Sequence, residues 1–176
     1  MKLTLFIGVS LLVLSISTYG SSQTGGFSSQ INEITVTKTF LNPTNDDDSL
    51  EDRIVSYGMK FLGTPYVSAG NSKNGFDCSG FVYFVYNHFK IQVPRSSSQF
   101  KNFGKEIPIG DVKKGDILLF LSPTRNAIGH LGIVINPKGM DSDFIHSTSG
   151  SEMQVVITSL KKPGYTRRFV KAIRVL

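Results

Sequence analysis

The residue order predicts an α+β fold in which N-terminal helices pack on an antiparallel sheet of about five strands. Apolar residues recur at helical spacing at Ile54, Val55, Gly58, Phe61 and Leu62, and a second apolar helix pattern runs over residues 78–89. From residue 115 onward the pattern shortens to that of strands, with turn residues between the runs. Helices first and strands afterwards is the order of an α+β domain.

The first segment is a leader. Lys2 precedes LTLFIGVSLLVLSIS (residues 3–17), an apolar run without a charge, and Thr18-Tyr19-Gly20 places small residues where a signal peptidase prefers them. The run is shorter than the roughly 20 residues a spanning helix needs. Residues 1–20 therefore read as a cleaved secretory signal, with an uncleaved N-terminal anchor as the competing reading. No cysteine follows the run, which excludes a lipid anchor there. The expected location is the periplasm or cell exterior, with no stable membrane insertion after cleavage.

Residues 21–48 are rich in Ser, Gly, Thr and Asn and end in Asp46-Asp47-Asp48, the composition of a linker or loose arm. A short strand at Thr35-Val36-Thr37 is the only element expected within it. Residues 49–176 form the folded domain. Ser49-Leu50-Glu51-Asp52 has the form of a capping box, and Gly63 ends the first helical stripe. TPYVSAGNSKNG (residues 64–75) reads as a loop, and the helix that opens at Cys78 follows it. Strands are expected at GDILLF (115–120), HLGIVI (130–135), DFIHST (143–148), QVVIT (154–158) and RRFVKAIRV (167–175). Gly115-Asp116 reads as a turn into its strand.

The 176 residues suit one domain and carry a net charge of +6. Removing residues 1–20 takes away Lys2 alone, leaving 18 basic against 13 acidic residues, a net +5. A basic exported protein suits polyanionic partners, although mild basicity also serves solubility alone. No block of aromatics is interleaved with Lys and Arg, so nucleic acid is not an expected partner. The chain is expected to act as a monomer.

Exported proteins of this size often use disulfides, and a single cysteine cannot form one internally. Asp77 is a good N-cap residue and leaves Cys78 at the first helical position. The partial positive charge of a helix N-terminus favours a thiolate, the form that attacks carbon. Ser79 and Gly80 are small enough to let a substrate approach, and free N–H groups of that turn suit an oxyanion. A buried structural cysteine is the competing reading.

A thiol nucleophile needs a histidine base within hydrogen-bond reach. His88 lies ten residues along the same helix, a rise of about 15 Å, and cannot serve; it reads as a solvent-facing or half-buried helix residue. His130 and His146 lie in neighbouring strands. A hairpin that pairs Ile135 with Asp141 around a loop at residues 136–140 sets the two imidazoles face to face. One can then orient the other, as the third group of a catalytic triad does. Cys78, His130 and His146 would equally make a Cys-His-His zinc set with one open position, although no close-spaced ligand pair supports it.

GTPYVSAG, GFDCSGFVYFVY, VPRSSSQ, VKKGDILLF, GHLGIVI and FIHSTSG, in that order over residues 51–176, closely resemble the NlpC-type family of cell-wall cysteine peptidases. The resemblance implies a papain-like domain that hydrolyses peptidoglycan stem peptides at the γ-D-glutamyl–diamino acid bond, without metal or other cofactor. It implies that Cys78 is the nucleophile, His130 the general base and His146 the orienting group. Tyr66 matches a tyrosine that helps the oxyanion site, Asp77 and Ser79 match positions that bind the free amino end of a stem, and Ser97 matches a further substrate-contacting serine. Read by themselves, Asp77 is a helix cap, Tyr66 a packed loop aromatic, and Arg95 a surface cation or ion-pair partner. Three features depart from the family: Ser68 and Ala69 replace an aromatic and a glycine beside the groove, Gln99 comes one place early, and there is no room for wall-binding repeats.

Overall fold

A computed structural model describes residues 48–176. The leader, all but the last residue of the arm, and the short strand expected at Thr35 to Thr37 lie outside the described residues. Helix α1 (Leu50–Met59) opens on Ser49, whose Oγ accepts from the Asp52 N–H at 3.1 Å while its hydroxyl donates to Asp52 Oδ2 at 2.9 Å. The stripe expected to run on to Leu62 leaves the α-helix at Met59. The next residues tighten into i→i−3 bonds, such as Phe61 N–H to Gly58 C=O at 3.1 Å. The loop expected at residues 64–75 holds a small hairpin, β1 (Asn71–Ser72) against β2 (Gly75–Phe76).

Helix α2 (Cys78–His88) starts directly after β2. It buries Phe81, Val82, Val85 and Tyr86 completely, each contributing about 1.5–3 kcal/mol relative to exposure. His88 is exposed at its far end and stacks on Tyr57, with ring centroids 3.8 Å apart, away from the thiol as helix rise requires. A 3-10 turn at Ser97–Asn102 follows, with Gln99 Oε1 accepting from the Ser96 N–H at 3.3 Å; the displaced Gln99 has this local closing role.

Among the described residues the sheet has six antiparallel strands, where about five were expected. They are β3 (Lys105–Ile107), β4 (Ile117–Leu121), β5 (Ile128–Asn136), β6 (Asp143–Ser147), β7 (Val155–Ser159) and β8 (Phe169–Arg174), in the order β3-β8-β4-β5-β6-β7. The added strand β3 is short and partly polar. A short helix, α3 (Pro163–Thr166), capped at Arg167, precedes the last strand, which starts at Phe169 rather than at the expected Arg167. Ile117, Leu119, Leu131, Ile133 and Ile145 pack toward α1 and α2. Leu118, Phe120, Val134 and Phe144 pack on the other face under Leu160 and Tyr165. ILLF is a continuous apolar run because its strand is covered on both faces. Asp116, buried at the turn into β4, accepts from Arg174 Nε at 2.8 Å and Nη2 at 2.7 Å, tying β4 to β8.

The β5–β6 register differs from the expected one. Ile133 pairs with Ile145 and Val134 with Phe144, and a bulge at Ile135 precedes the Asn136–Asp143 pair. The connecting loop is residues 137–142, longer than expected and closed by Ser142 Oγ, which donates to the Gly139 carbonyl at 2.7 Å and accepts from the Lys138 N–H at 2.8 Å. Extending the register sets His146 opposite Gly132, two residues from His130. A slip of two preserves the face, so both imidazoles still point the same way and meet diagonally.

Candidate active site

Cys78 is the first residue of α2 and is half-buried. Asp77 caps the helix, Oδ1 accepting from the Gly80 N–H at 2.6 Å. Gly80 has no alternative here, because a Cβ on it would come within 1.9 Å of the Gly70 carbonyl oxygen. That close approach presses the first turn of α2 onto the loop that carries Tyr66. The Cys78 thiol donates to the Gly129 carbonyl at 3.6 Å, which brings the sulfur to the strand residue just before His130.

His130 Nε2 is 2.9 Å from His146 Nδ1, and the rings stand nearly perpendicular at 89°. His146 Nε2 is in turn 2.9 Å from Thr158 Oγ1 on β7. Phe120, Phe144 and Tyr165 pack around the pair, and His146 is fully buried. His130 Nδ1 makes no hydrogen bond among the described residues. If it is to accept a proton, His130 carries its hydrogen on Nε2 and donates to His146, which donates from Nε2 to Thr158. Thr158 Oγ1 can accept that hydrogen, so the chain accommodates the tautomer that leaves His130 Nδ1 basic and fixes the orientation of both rings. Both nitrogens of His146 face hydrogen-bond partners, His130 Nε2 and Thr158 Oγ1.

The electrostatics differ from the sequence expectation. Burial, and then the charge of Asp77, push the Cys78 thiol up to about 11, against the opposing pull of the Ser79, Leu131 and Cys78 N–H groups. A helix N-terminus favours the thiolate, but desolvation of a largely enclosed sulfur outweighs it. Burial and then Arg168 push His130 down to about 3, and burial, ahead of the charges of His130, Lys162 and Arg168, holds His146 well below the ordinary imidazole range. The resting pair is therefore a neutral thiol and a neutral imidazole.

Tyr66, Asp77, Cys78, Ser79, Arg95 and Ser97 line one cavity of about 500 Å³. The expected substrate-side residues Tyr66, Asp77, Ser79 and Ser97 thus share one cavity with Cys78, while His130 and His146 lie outside its lining. Burial and then the charges of Cys78 and Asp77 raise the Tyr66 phenol, keeping it a hydroxyl donor. Arg95 is more than a surface cation. It donates to both oxygens of Asp77 (3.0 and 2.9 Å), to Ser79 Oγ (3.1 Å) and to the Ala69 and Gly70 carbonyls (2.8 and 3.2 Å). Ala69 holds a φ of 60°, a left-handed conformation easiest for glycine. Ser97 Oγ donates to the Ile128 carbonyl at 3.5 Å.

Sequence reasoning missed Thr158, whereas Arg95 takes one of its two expected readings, that of the ion-pair partner. Thr158 was findable, since it lies two residues along β7 from Val156, which pairs with His146, and so shares that face.

Residues 63–174 match the model of the NlpC/P60 family. The chain is 34% identical over 140 residues to a γ-D-glutamyl-L-lysine dipeptidyl-peptidase of Bacillus cereus, covering 78% of this chain and 40% of that one. It is 35% identical over 123 residues to the murein DD-endopeptidase MepH of Escherichia coli, covering 67% and 43%. A crystal structure of an NlpC/P60 family protein from Bacillus cereus superposes with a TM-score of 0.66 at 33% identity, covering 73% of this chain and 41% of that one. The chain thus spans less than half the length of these relatives.

Proposed function

The chain belongs to the NlpC/P60 family, and from that premise we propose that it is an exported cysteine peptidase that hydrolyses peptidoglycan stem peptides. The observation that carries the reading is the Cys78 thiol at a helix N-terminus, opening on a polar cavity and bonded to the carbonyl of Gly129, the residue before a histidine that a His146–Thr158 chain orients.

The neutral resting pair sets the order of events. His130 Nδ1 takes the thiol proton as Cys78 Sγ attacks the amide carbonyl. The imidazolium formed then donates from Nε2 to His146, whose lowered basicity keeps it an acceptor. The oxyanion meets the free N–H groups of the first turn at Cys78 and Ser79, and the Tyr66 hydroxyl. His130 Nδ1–H protonates the leaving amine as the C–N bond breaks, and a thioester remains. Water, deprotonated by the same nitrogen, releases the acid and the thiol. Asp77, Ser79 and Ser97 bind the amino-terminal part of the stem, with Arg95 holding Asp77 and Ser79 in place.

The bond proposed is that between γ-D-glutamate and the diamino acid, in line with the name of the Bacillus cereus relative. A D,D cross-link is the competing bond, in line with the name of the Escherichia coli one. Mass analysis of muropeptides after incubation with the full chain tests both. Stems cut after γ-D-glutamate are the expected product, and cross-linked dimers split into intact monomers would reassign the bond. Cys78→Ala is expected to lower the rate by at least about 10³-fold. Intact muropeptides at every pH would overturn the reading.

A further inference from the structure

A second cavity, of about 340 Å³, adjoins the first at Gly129 and is lined also by His130, Thr148, Ser149, Tyr165 and Arg168. Its place in the reaction follows from proton transfer. The expelled amine takes its proton from His130, so the leaving residue lies where the half-buried His130 reaches a cavity. His130 lines this cavity and does not line the one around Cys78.

Arg168 is half-buried in the wall and held in one orientation. Its Nε donates to the Gly164 carbonyl at 2.8 Å, its Nη1 to the Leu121 carbonyl at 3.4 Å, and its guanidinium lies 5.2 Å from the centre of the Tyr165 ring. Nη2 makes no hydrogen bond, and no carboxylate pairs with Arg168 among the described residues. Arg95 and Arg174 are each paired with an aspartate. An oriented cation without a counter-ion, in a cavity with the Thr148 and Ser149 hydroxyls, suits an anionic ligand group.

We propose that this cavity is the leaving-residue subsite and that Arg168 binds a carboxylate of that residue. The proposal rests on the peptidase reading and adds what the enzyme requires beyond the scissile bond. The carboxylate has two possible sources, a free terminal carboxylate or the side-chain carboxylate of a diamino dicarboxylic acid. A carboxylate bound there also offsets the Arg168 charge that helps hold His130 weakly basic. The correct leaving residue would therefore strengthen the base.

The test measures kcat and KM of the full chain on three peptides. The first is alanyl-γ-D-glutamyl-lysine with a free terminal carboxylate, and the second is its terminal amide. The third carries diaminopimelate with the terminal carboxyl amidated and the side-chain carboxyl free. At least one carboxylate peptide is expected to exceed the lysine amide about 10-fold in kcat/KM, the size of a charged hydrogen bond discounted for partial exposure. Preference for the first assigns the terminal carboxylate, and preference for the third assigns the side chain. In Arg168→Ala all three are expected to converge to within about twofold, whereas Arg168→Lys keeps part of the preference. Equal cleavage of the three by the wild type overturns the subsite even if Arg168→Ala does not fold. A preference that survives in Arg168→Ala overturns it too, as does an equal loss on all three with a shifted pH profile, the mark of action through His130 alone. If the wild type cleaves neither peptides nor muropeptides, the peptidase reading itself falls.

Discussion

Cys78 sits between opposing influences, and their balance assigns work to the residues around it. The first turn of α2 offers N–H groups that favour a thiolate, while enclosure and the neighbouring Asp77 charge favour the thiol and prevail. A protonated nucleophile depends on its base more than a preformed ion pair does, and the base depends on its tautomer. Thr158 is the last group in the hydrogen-bond chain that orients that base, although it lies on a strand that carries no other part of the site. Thr158→Val keeps the shape and removes the oxygen. It is expected to lower kcat about 10- to 100-fold with little change in KM, the size of a lost orienting hydrogen bond in catalysis. Thr158→Ser is expected to restore most of the rate. Steady-state kinetics on a stem peptide decides, and a Thr158→Val enzyme with wild-type kcat would remove the hydroxyl from the mechanism.

At the scale of elements, the site depends on how closely α2 meets the loop before it. The Gly80–Gly70 approach leaves no space for a methyl group, so Gly80→Ala must push the first turn of α2, and Cys78 with it, away from Tyr66 and Gly129. The expected cost is about 1–3 kcal/mol of stability and about 10²-fold in kcat/KM, the penalty of a displacement near 1 Å. Gly110→Ala, whose Cβ would meet nothing within 4 Å, is the comparison, with both quantities unchanged. Thermal melts and kinetics check the pair, and full activity in Gly80→Ala would show that the contact does not position the thiol. The same dependence on close tertiary contact explains what could be read in advance. Asp77 and Cys78 announce a helix N-terminus locally, and the face shared by His130 and His146 survives a register error of two because strand periodicity is two. The bulge at Ile135, the brief strand Lys105–Ile107 and the helix at Pro163–Thr166 carry no comparable local pattern. Arg168 follows from that last helix, and so its place beside His130 could not be read from spacing.

For the folded domain as a whole, the two imidazoles couple catalysis to acid stability. Both are held below the ordinary histidine value, chiefly by burial. The unfolded chain therefore binds protons that the native state refuses. The stability they contribute is fully present above about pH 6.5, the unfolded value, and is lost as pH falls through the window toward the native values, about 3 for His130. Each imidazole is expected to withdraw about 1 kcal/mol per pH unit in that window. Melting temperature should thus hold near pH 7–8 and fall steadily from about pH 6 to pH 4, with the upper part of that fall, above about pH 5, preceding the titration of ordinary carboxylates near 4. His146→Gln removes one of the two groups, and its melting temperature should fall less steeply over the same interval, whatever its value at pH 7. Calorimetry across the pH series tests this. A wild-type melting temperature that stays level from pH 7 to pH 4 would mean that both imidazoles accept protons in the native state. In that case His146 could not serve as the acceptor that holds the His130 imidazolium during attack.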